Sequence, residues 1–145
     1  MKRKLSFIIC LLFLLPVIHA QTAAELEAAL ESPAITCAQA ASFIIRSVDP
    51  EFAENAYDLA LSRGWFKNER PDDHVTMGRL SFMFMQAYDI KGGFMYSLFP
   101  GKRYAFRTMV SRSLIQGDSD PALTVAGDNF LLILGRVLSG QGGDL

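Results

Sequence analysis

Thr76-Met77-Gly78-Arg79-Leu80-Ser81-Phe82-Met83-Phe84-Met85-Gln86-Ala87-Tyr88-Asp89-Ile90 is the most apolar helical segment of the chain outside its N-terminus. Most of its large apolar side chains recur every three or four residues, which is the spacing of one face of an α-helix. Phe82 and Met85 fall beyond that face, so the helix is apolar around much of its circumference. We therefore expect it to lie at the centre of the fold, with other helices packed against it. Its main apolar face carries Met77, Leu80, Met83, Phe84, Ala87 and Tyr88.

Two other segments begin in the same way as this helix. Ile35-Thr36-Cys37-Ala38-Gln39-Ala40 and Val125-Ala126-Gly127-Asp128-Asn129-Phe130 align with Val75-Thr76-Met77-Gly78-Arg79-Leu80, and each leads into an amphipathic stretch. The preceding helix ends also correspond, because Leu61-Ser62-Arg63-Gly64-Trp65-Phe66 aligns with Val110-Ser111-Arg112-Ser113-Leu114-Ile115. The pattern predicts three helix-loop-helix repeats, at about 22–48, 51–90 and 104–138.

A short helical hairpin cannot bury its apolar face alone, so we expect the three repeats to pack together. No segment shows the sustained alternation of apolar and polar residues that is typical of a β-strand. The predicted fold class is all-α, a helical bundle of three helix-loop-helix repeats packed around a shared core. The predicted helices span about 22–31, 36–48, 51–63, 76–90, 104–113 and 126–138.

At these residues the chain resembles the S-layer homology family. The resemblance rests on the Ile35-Thr36 and Val75-Thr76 helix starts, the Arg63-Gly64-Trp65 helix end and the loops that contain Pro71 and Pro121. It implies three helical hairpins in an exported protein that is held against cell-wall polysaccharide. In the family the helix start continues Thr-Arg-Ala-Glu, and the Arg contacts the acidic polymer. The matching Arg positions here are Cys37, Met77 and Gly127, and the Glu positions are Gln39, Arg79 and Asn129.

The N-terminus has the order of a secretory signal peptide. Lys2, Arg3 and Lys4 precede an apolar run, and Ala20 precedes the polar Gln21. We expect cleavage after Ala20, which divides the chain into a signal peptide at 1–20 and a single all-α domain at 21–145. The run is shorter than the roughly 20 apolar residues that a membrane span needs, so contact with a membrane is expected only if the signal is retained as an anchor.

The charge and cysteine content of the predicted mature chain exclude several classes of protein. Residues 21–145 carry 11 Lys or Arg and 15 Asp or Glu, a formal charge of −4, so no basic footprint for nucleic acid is expected. Cys37 is the only cysteine left after cleavage, which rules out an intrachain disulfide and the small disulfide-rich scaffolds. The stability must therefore come from a packed core.

Sequence motifs for catalysis are absent. There is no Gly-x-Ser-x-Gly elbow, phosphate loop, Cys-x-x-Cys or His-Glu-x-x-His. Cys37 and His74 could in principle form a nucleophile and its base, but Cys37 falls on the apolar face of its helix, which favours a buried structural role. Asp72, Asp73 and His74 could bind a divalent cation, with Glu69 nearby, or could simply cap the next helix.

The segment 91–103, Lys-Gly-Gly-Phe-Met-Tyr-Ser-Leu-Phe-Pro-Gly-Lys-Arg, combines a glycine pair with large apolar residues. If exposed, it would form a recognition surface for a protein or a sugar, and its basic residues suggest an anionic ligand. The alternative, which we favour, is that it folds back over the core. Trp65 likewise suits either a hydrophobic plug or a stacking platform. The candidate binding residues are Phe94, Tyr96, Phe99, Lys102, Arg103 and Trp65.

The preferred functional prediction is an exported, non-enzymatic binding or structural module in the periplasm or at the cell envelope. Its expected partner is an envelope protein or a cell-wall polysaccharide, and no cofactor is expected. The alternative is a small metal-dependent protein or enzyme, such as a hydrolase, that uses the Asp72-Asp73-His74 loop.

Overall fold

The computed structural model describes residues 23–117 and 120–140. The predicted signal peptide at 1–20 lies outside these residues, as does its cleavage site. The described part of the chain is all-α, as predicted, and its only β-type pairings are two isolated bridges, Thr36 with His74 and Thr76 with Thr124. The helices are α1 (23–30), α2 (Cys37–Val48), a 3₁₀ helix (Pro50–Asn55), α3 (Ala56–Ser62), α4 (Met77–Ala87), α5 (Phe94–Leu98), α6 (Lys102–Ser111) and α7 (Gly127–Gly140).

Several helix ends differ from the prediction by up to three residues, and α4 ends at Ala87 and not at Ile90. Two differences are larger. The helix predicted at 51–63 is divided into the 3₁₀ helix and α3, and the 3₁₀ part buries no side chain. The short helix α5 was not predicted, because its glycine-rich surroundings indicate a loop. It lies within the segment 91–103.

Threonine side chains begin α2 and α4. The Thr36 hydroxyl accepts a hydrogen bond from the Gln39 N–H at 3.2 Å, and the Gln39 side chain accepts one from the Thr36 N–H at 3.0 Å. The Thr76 hydroxyl accepts a longer bond, of 3.4 Å, from the Arg79 N–H. Each cap satisfies an N–H group that has no partner within its own helix.

A closed ring of three backbone hydrogen bonds joins the residues that lie just before α2, α4 and α7. The Ile35 N–H donates to the Val125 carbonyl at 2.8 Å, Val125 donates to Val75 at 3.0 Å, and Val75 donates to Ile35 at 3.0 Å. All three residues are almost fully buried. The three helix starts that align in the sequence are therefore in direct contact at the centre of the molecule.

A second set of backbone hydrogen bonds surrounds this ring. The first helical N–H of each start donates to the loop before another start: Cys37 to Asp73 at 2.8 Å, Met77 to Leu123 at 2.8 Å, and Gly127 to Ser32 at 2.9 Å. Free N–H groups at three helix N-termini are thus satisfied by neighbouring carbonyl groups.

The core is built around α4, as its apolar circumference predicts. Leu80, Met83 and Phe84 are completely buried, and α4 packs against α2 and α6. The Phe84 ring stacks on Phe130 of α7 with centroids 6.1 Å apart, and Phe130 in turn contacts Phe43 of α2. Aromatic contacts therefore connect three helices through one buried ring.

Candidate functional site

Within residues 23–117 and 120–140, the two most exposed large apolar side chains lie on and next to the short helix α5. Phe94 is 76% exposed and Phe99 is 62% exposed, and α5 has no buried residue. Met95 and Leu98 are also exposed. The favoured prediction, that this segment covers the core, is therefore wrong for these four side chains. We call Phe94, Met95, Leu98 and Phe99 the apolar tip.

Tyr96 holds the tip on the body of the protein. Its ring is half-buried against the core, and its hydroxyl accepts a hydrogen bond from the Gln86 amide at 2.8 Å. A Cβ atom at Gly92 would lie 2.4 Å from the Tyr96 side chain, so only glycine allows the ring to pack there. Tyr96, predicted as a ligand contact, thus has a structural role in fixing α5.

Two open clefts flank Tyr96. The larger, of about 340 Å³, lies between α5 and α6 and is lined by Phe94, Met95, Tyr104 and Arg107, among others. The smaller, of about 250 Å³, lies between α5 and the end of α4 and includes Gln86, Asp89 and Lys91. Apolar and cationic groups therefore share the surface next to the tip.

Positive charge predominates around the tip. Residues 91–117 contain five Lys or Arg and no Asp or Glu, whereas the rest of 21–145 contains six Lys or Arg and fifteen Asp or Glu. Lys102, Arg103 and Arg107 are exposed, while Lys91 pairs with Asp89 at 2.6 Å. Sequence analysis identified these cations but not their separation from the acidic remainder of the chain.

Lys102 and Arg103 occupy an electrostatically unfavourable position. They form the first turn of α6, whose cap residue, Gly101, provides no side-chain hydrogen bond. The helix macrodipole favours anions at this end and disfavours cations by about 0.3–1 kcal/mol each. Their placement therefore is not explained by the stability of α6.

Trp65 is not available as a stacking platform, and this part of the binding-site prediction is wrong. Its side chain is 1% exposed. Gly64, at φ +75°, ends α3 and turns the chain so that Trp65 and Phe66 enter the core. Phe66 stacks on Tyr57 with ring centroids 5.3 Å apart, and the Arg63 guanidinium lies 5.9 Å from the centre of the Trp65 ring. Trp65 and Phe66 therefore both form part of a hydrophobic plug, which was the other role predicted for Trp65.

The Asp72-Asp73-His74 loop has a structural role in the described chain. The Asp73 carboxylate accepts a hydrogen bond from the Arg70 N–H at 2.7 Å, and its carbonyl accepts one from Cys37. Asp72 and His74 are exposed. Among residues 23–117 and 120–140, no group of three His, Cys, Asp or Glu side chains is arranged to hold a metal ion.

Cys37 is unsuited to be a nucleophile. It is completely buried, and this burial, with smaller contributions from the negative charges of Glu69 and Asp73, raises the pKa of its thiol to about 11. The thiolate is the reactive form and is therefore scarce at neutral pH. This geometry supports the predicted role of a small buried apolar residue.

Sequence analysis missed the partly buried ion pair between Glu69 and Arg79. Burial alone would raise the pKa of Glu69, but N–H groups that include Lys67 at 2.8 Å, together with the Arg79 guanidinium, lower it to about 2. The Arg79 Nε atom is buried and has no hydrogen-bond partner among the residues that are described. The pair joins the loop after α3 to the first turn of α4, and spacing in the sequence gives no sign of it.

The chain matches no protein-family model, no curated protein and no solved structure. In the described ranges, no helix is long and apolar enough to cross a bilayer. The proposed function therefore rests on the geometry of the site.

Proposed function

We propose that this protein is an exported, non-enzymatic binding module of the cell envelope, and that the segment 91–103 is its recognition surface. The observation that carries the proposal is the apolar tip, in which four large side chains of one short segment are exposed to solvent. Exposed apolar side chains that lie together mark interaction sites in soluble proteins, whereas isolated ones do not.

Energetic considerations support this role. Complete removal of a Leu, Met or Phe side chain from water is worth about 1.5–3 kcal/mol. The four side chains of the tip are 45–76% exposed, so a large part of this free energy is not gained on folding. Lys102 and Arg103 stand beside the tip although they oppose the dipole of α6. Both unfavourable features are relieved by the same event, which is contact with a partner that has an apolar surface and negative charge.

We also propose that the three hairpins are repeats of the S-layer homology type. The closed ring of Ile35, Val75 and Val125 supports this, since it relates the three helix starts to one another. The family's contact with polysaccharide is not expected here, because Cys37 and Met77 are buried and Gly127 packs on the carbonyl group of Ala29. The recognition surface is therefore placed at the tip and not at the helix starts.

The metal-dependent alternative lacks comparable support. Asp73 is engaged by Arg70 and Cys37, and the exposed Asp72 and His74 do not form a cluster of three ligands with it. A binding module is the function that the site favours.

Co-sedimentation with envelope fractions tests the proposal. The chain, expressed with residues 1–20 in place and purified after export, is mixed separately with isolated cell walls and with isolated membranes. Its intact mass is expected to correspond to a chain that begins at Gln21. We expect binding to at least one fraction and its loss in the variant Phe94→Ser/Phe99→Ser.

The matched control is Leu61→Ser/Leu132→Ser, which removes two exposed apolar side chains on α3 and α7. It should bind as the unchanged protein does. Absence of binding to both fractions, or equal binding by the tip variant, would overturn the proposal. A mass that includes residues 1–20 would overturn the predicted cleavage and would mean that the signal is retained as an anchor.

A further inference from the structure

We infer that the ligand of the tip is an anionic lipid bilayer, into whose interfacial region Phe94, Met95, Leu98 and Phe99 insert. This inference rests on the proposed function, because it uses the same surface. It differs from the expectation that membrane contact needs a retained signal peptide, since the contact is made by the folded domain.

The form of the segment favours a lipid layer. α5 is a single helical turn with no buried residue, and a Cβ atom built at Gly93, just before it, would meet nothing within 4 Å. The exposed side chains stand on a protruding helix held by Tyr96, and a fluid bilayer can close around such a projection. A polysaccharide could stack on Phe94 or Phe99, but it offers no apolar interior for Leu98 and Met95.

The distribution of charge favours an anionic bilayer in particular. Lys102 and Arg103 follow the tip closely in the chain and are exposed, whereas Lys91, before it, is paired with Asp89. A bilayer places its phosphate layer immediately outside its apolar layer, so cations close to inserted apolar side chains can reach the phosphates. Arg107 lines the larger cleft together with Phe94 and adds a further guanidinium to this surface. Each exposed cation near an anionic surface adds to the attraction.

The same charges argue against a second copy of the chain as the occupant. A symmetric dimer through this face would bring together two segments that each carry five Lys or Arg and no Asp or Glu. Like charges at an interface oppose association. The competing ligand is an acidic protein. The vesicle experiment distinguishes it from a bilayer, because the vesicles contain lipid and no partner protein.

Vesicle co-sedimentation tests this inference with the purified mature protein. The vesicles contain either phosphatidylglycerol and phosphatidylcholine in equal parts or phosphatidylcholine alone. We expect binding to the anionic vesicles to be at least about tenfold tighter and to weaken in high salt. Phe94→Ser/Phe99→Ser and Lys102→Gln/Arg103→Gln should each lose at least about tenfold, and Leu61→Ser/Leu132→Ser should lose nothing. Free inorganic phosphate should not compete, because the recognised object is the lipid surface.

Fluorescence locates the tip relative to the bilayer. The native Trp65 is buried, so a Phe94→Trp variant adds one exposed indole whose emission can be compared with that of the unchanged protein. Brominated acyl chains are expected to quench the added emission and to leave the Trp65 emission unchanged.

The outcomes separate this inference from the proposed function. If anionic vesicles are not bound, or if the added indole is not quenched, the lipid inference is wrong. Binding to cell walls or to a membrane protein would then leave the proposed function intact. If neither the vesicles nor either envelope fraction is bound, both proposals fail.

Discussion

The backbone N–H of Val75 donates to the carbonyl of Ile35 at 3.0 Å, and this bond closes the ring that passes through Val125. The three residues belong to distant parts of the chain, and all are shielded from water. Breaking any one of these bonds leaves a buried polar group without a partner. The ring therefore links the start of α2, the start of α4 and the start of α7 into one cooperative unit.

Hydrogen exchange of individual amides should reveal this unit. We expect the amides of Ile35, Val75 and Val125 to exchange only when the whole domain unfolds, since no smaller opening exposes them. The amides of α5, which packs on little of the core, should exchange through local opening and much faster. NMR-detected exchange measures both groups. Exchange of the Val75 amide as fast as that of Ser97 would contradict the cooperative ring.

Replacement of Gly127 should lower the free energy of unfolding more than replacement of any other described glycine. A Cβ atom at this position would lie 1.6 Å from the carbonyl oxygen of Ala29, and backbone cannot give way as a flexible side chain can. Gly127→Ala is expected to displace α1 and to destabilise the domain by about 3 kcal/mol. Denaturant titration followed by circular dichroism measures the change.

Gly135, in the same helix, provides the control. Nothing lies within 4 Å of a Cβ atom at this exposed position. Gly135→Ala should therefore stabilise the protein by about 0.5–1 kcal/mol through the better helix propensity of alanine. If both substitutions changed stability in the same direction, the close approach of α1 to α7 would be wrong.

The Glu69–Arg79 ion pair should make stability depend on pH in acid. Folding lowers the pKa of Glu69 from 4.5 to about 2, so its contribution is complete above pH 4.5 and is lost as the pH falls toward 2. We expect Glu69→Gln to reduce the free energy of unfolding at neutral pH by about 2 kcal/mol, and the difference from the unchanged protein to shrink below pH 4.5.

Urea unfolding at a series of pH values measures this dependence. Glu54→Gln is the control, because Glu54 is exposed on the 3₁₀ helix and should contribute little. A Glu69→Gln difference that stays constant from neutral pH down to pH 2 would mean that the carboxylate charge is not what stabilises the fold.

The Cys37 thiol should not react with thiol reagents in the folded protein. Its thiol is buried and has a pKa of about 11, so an aromatic disulfide reagent at mildly alkaline pH should react only after unfolding in guanidinium. His74→Ala should not change the rate. Rapid modification of the native protein, slowed by that substitution, would restore the Cys37–His74 pair as a reactive site.

Most of the long helices could be predicted because their causes are local, whereas α5 and the 3₁₀ helix could not. The apolar period of α4, the threonine at the start of α2 and the glycine that ends α3 act within a few residues of one another. The alignment of the three helix starts was equally visible, since it compares residue types at matching positions. The cations near the apolar tip could also be identified from their order along the chain.

Burial and exposure in the loops depended on contacts that a linear pattern does not contain. Trp65 and Phe94 are both aromatic residues next to glycine, yet one is buried and the other is 76% exposed. The positive φ of Gly64 turns Trp65 into a core that residues distant in the sequence have formed. At α5, Tyr96 occupies the available space against the core, and the neighbouring side chains remain in solvent. Local residue types thus fixed the helices, whereas competition for a finite core volume assigned the surplus apolar side chains to the interior or to the surface.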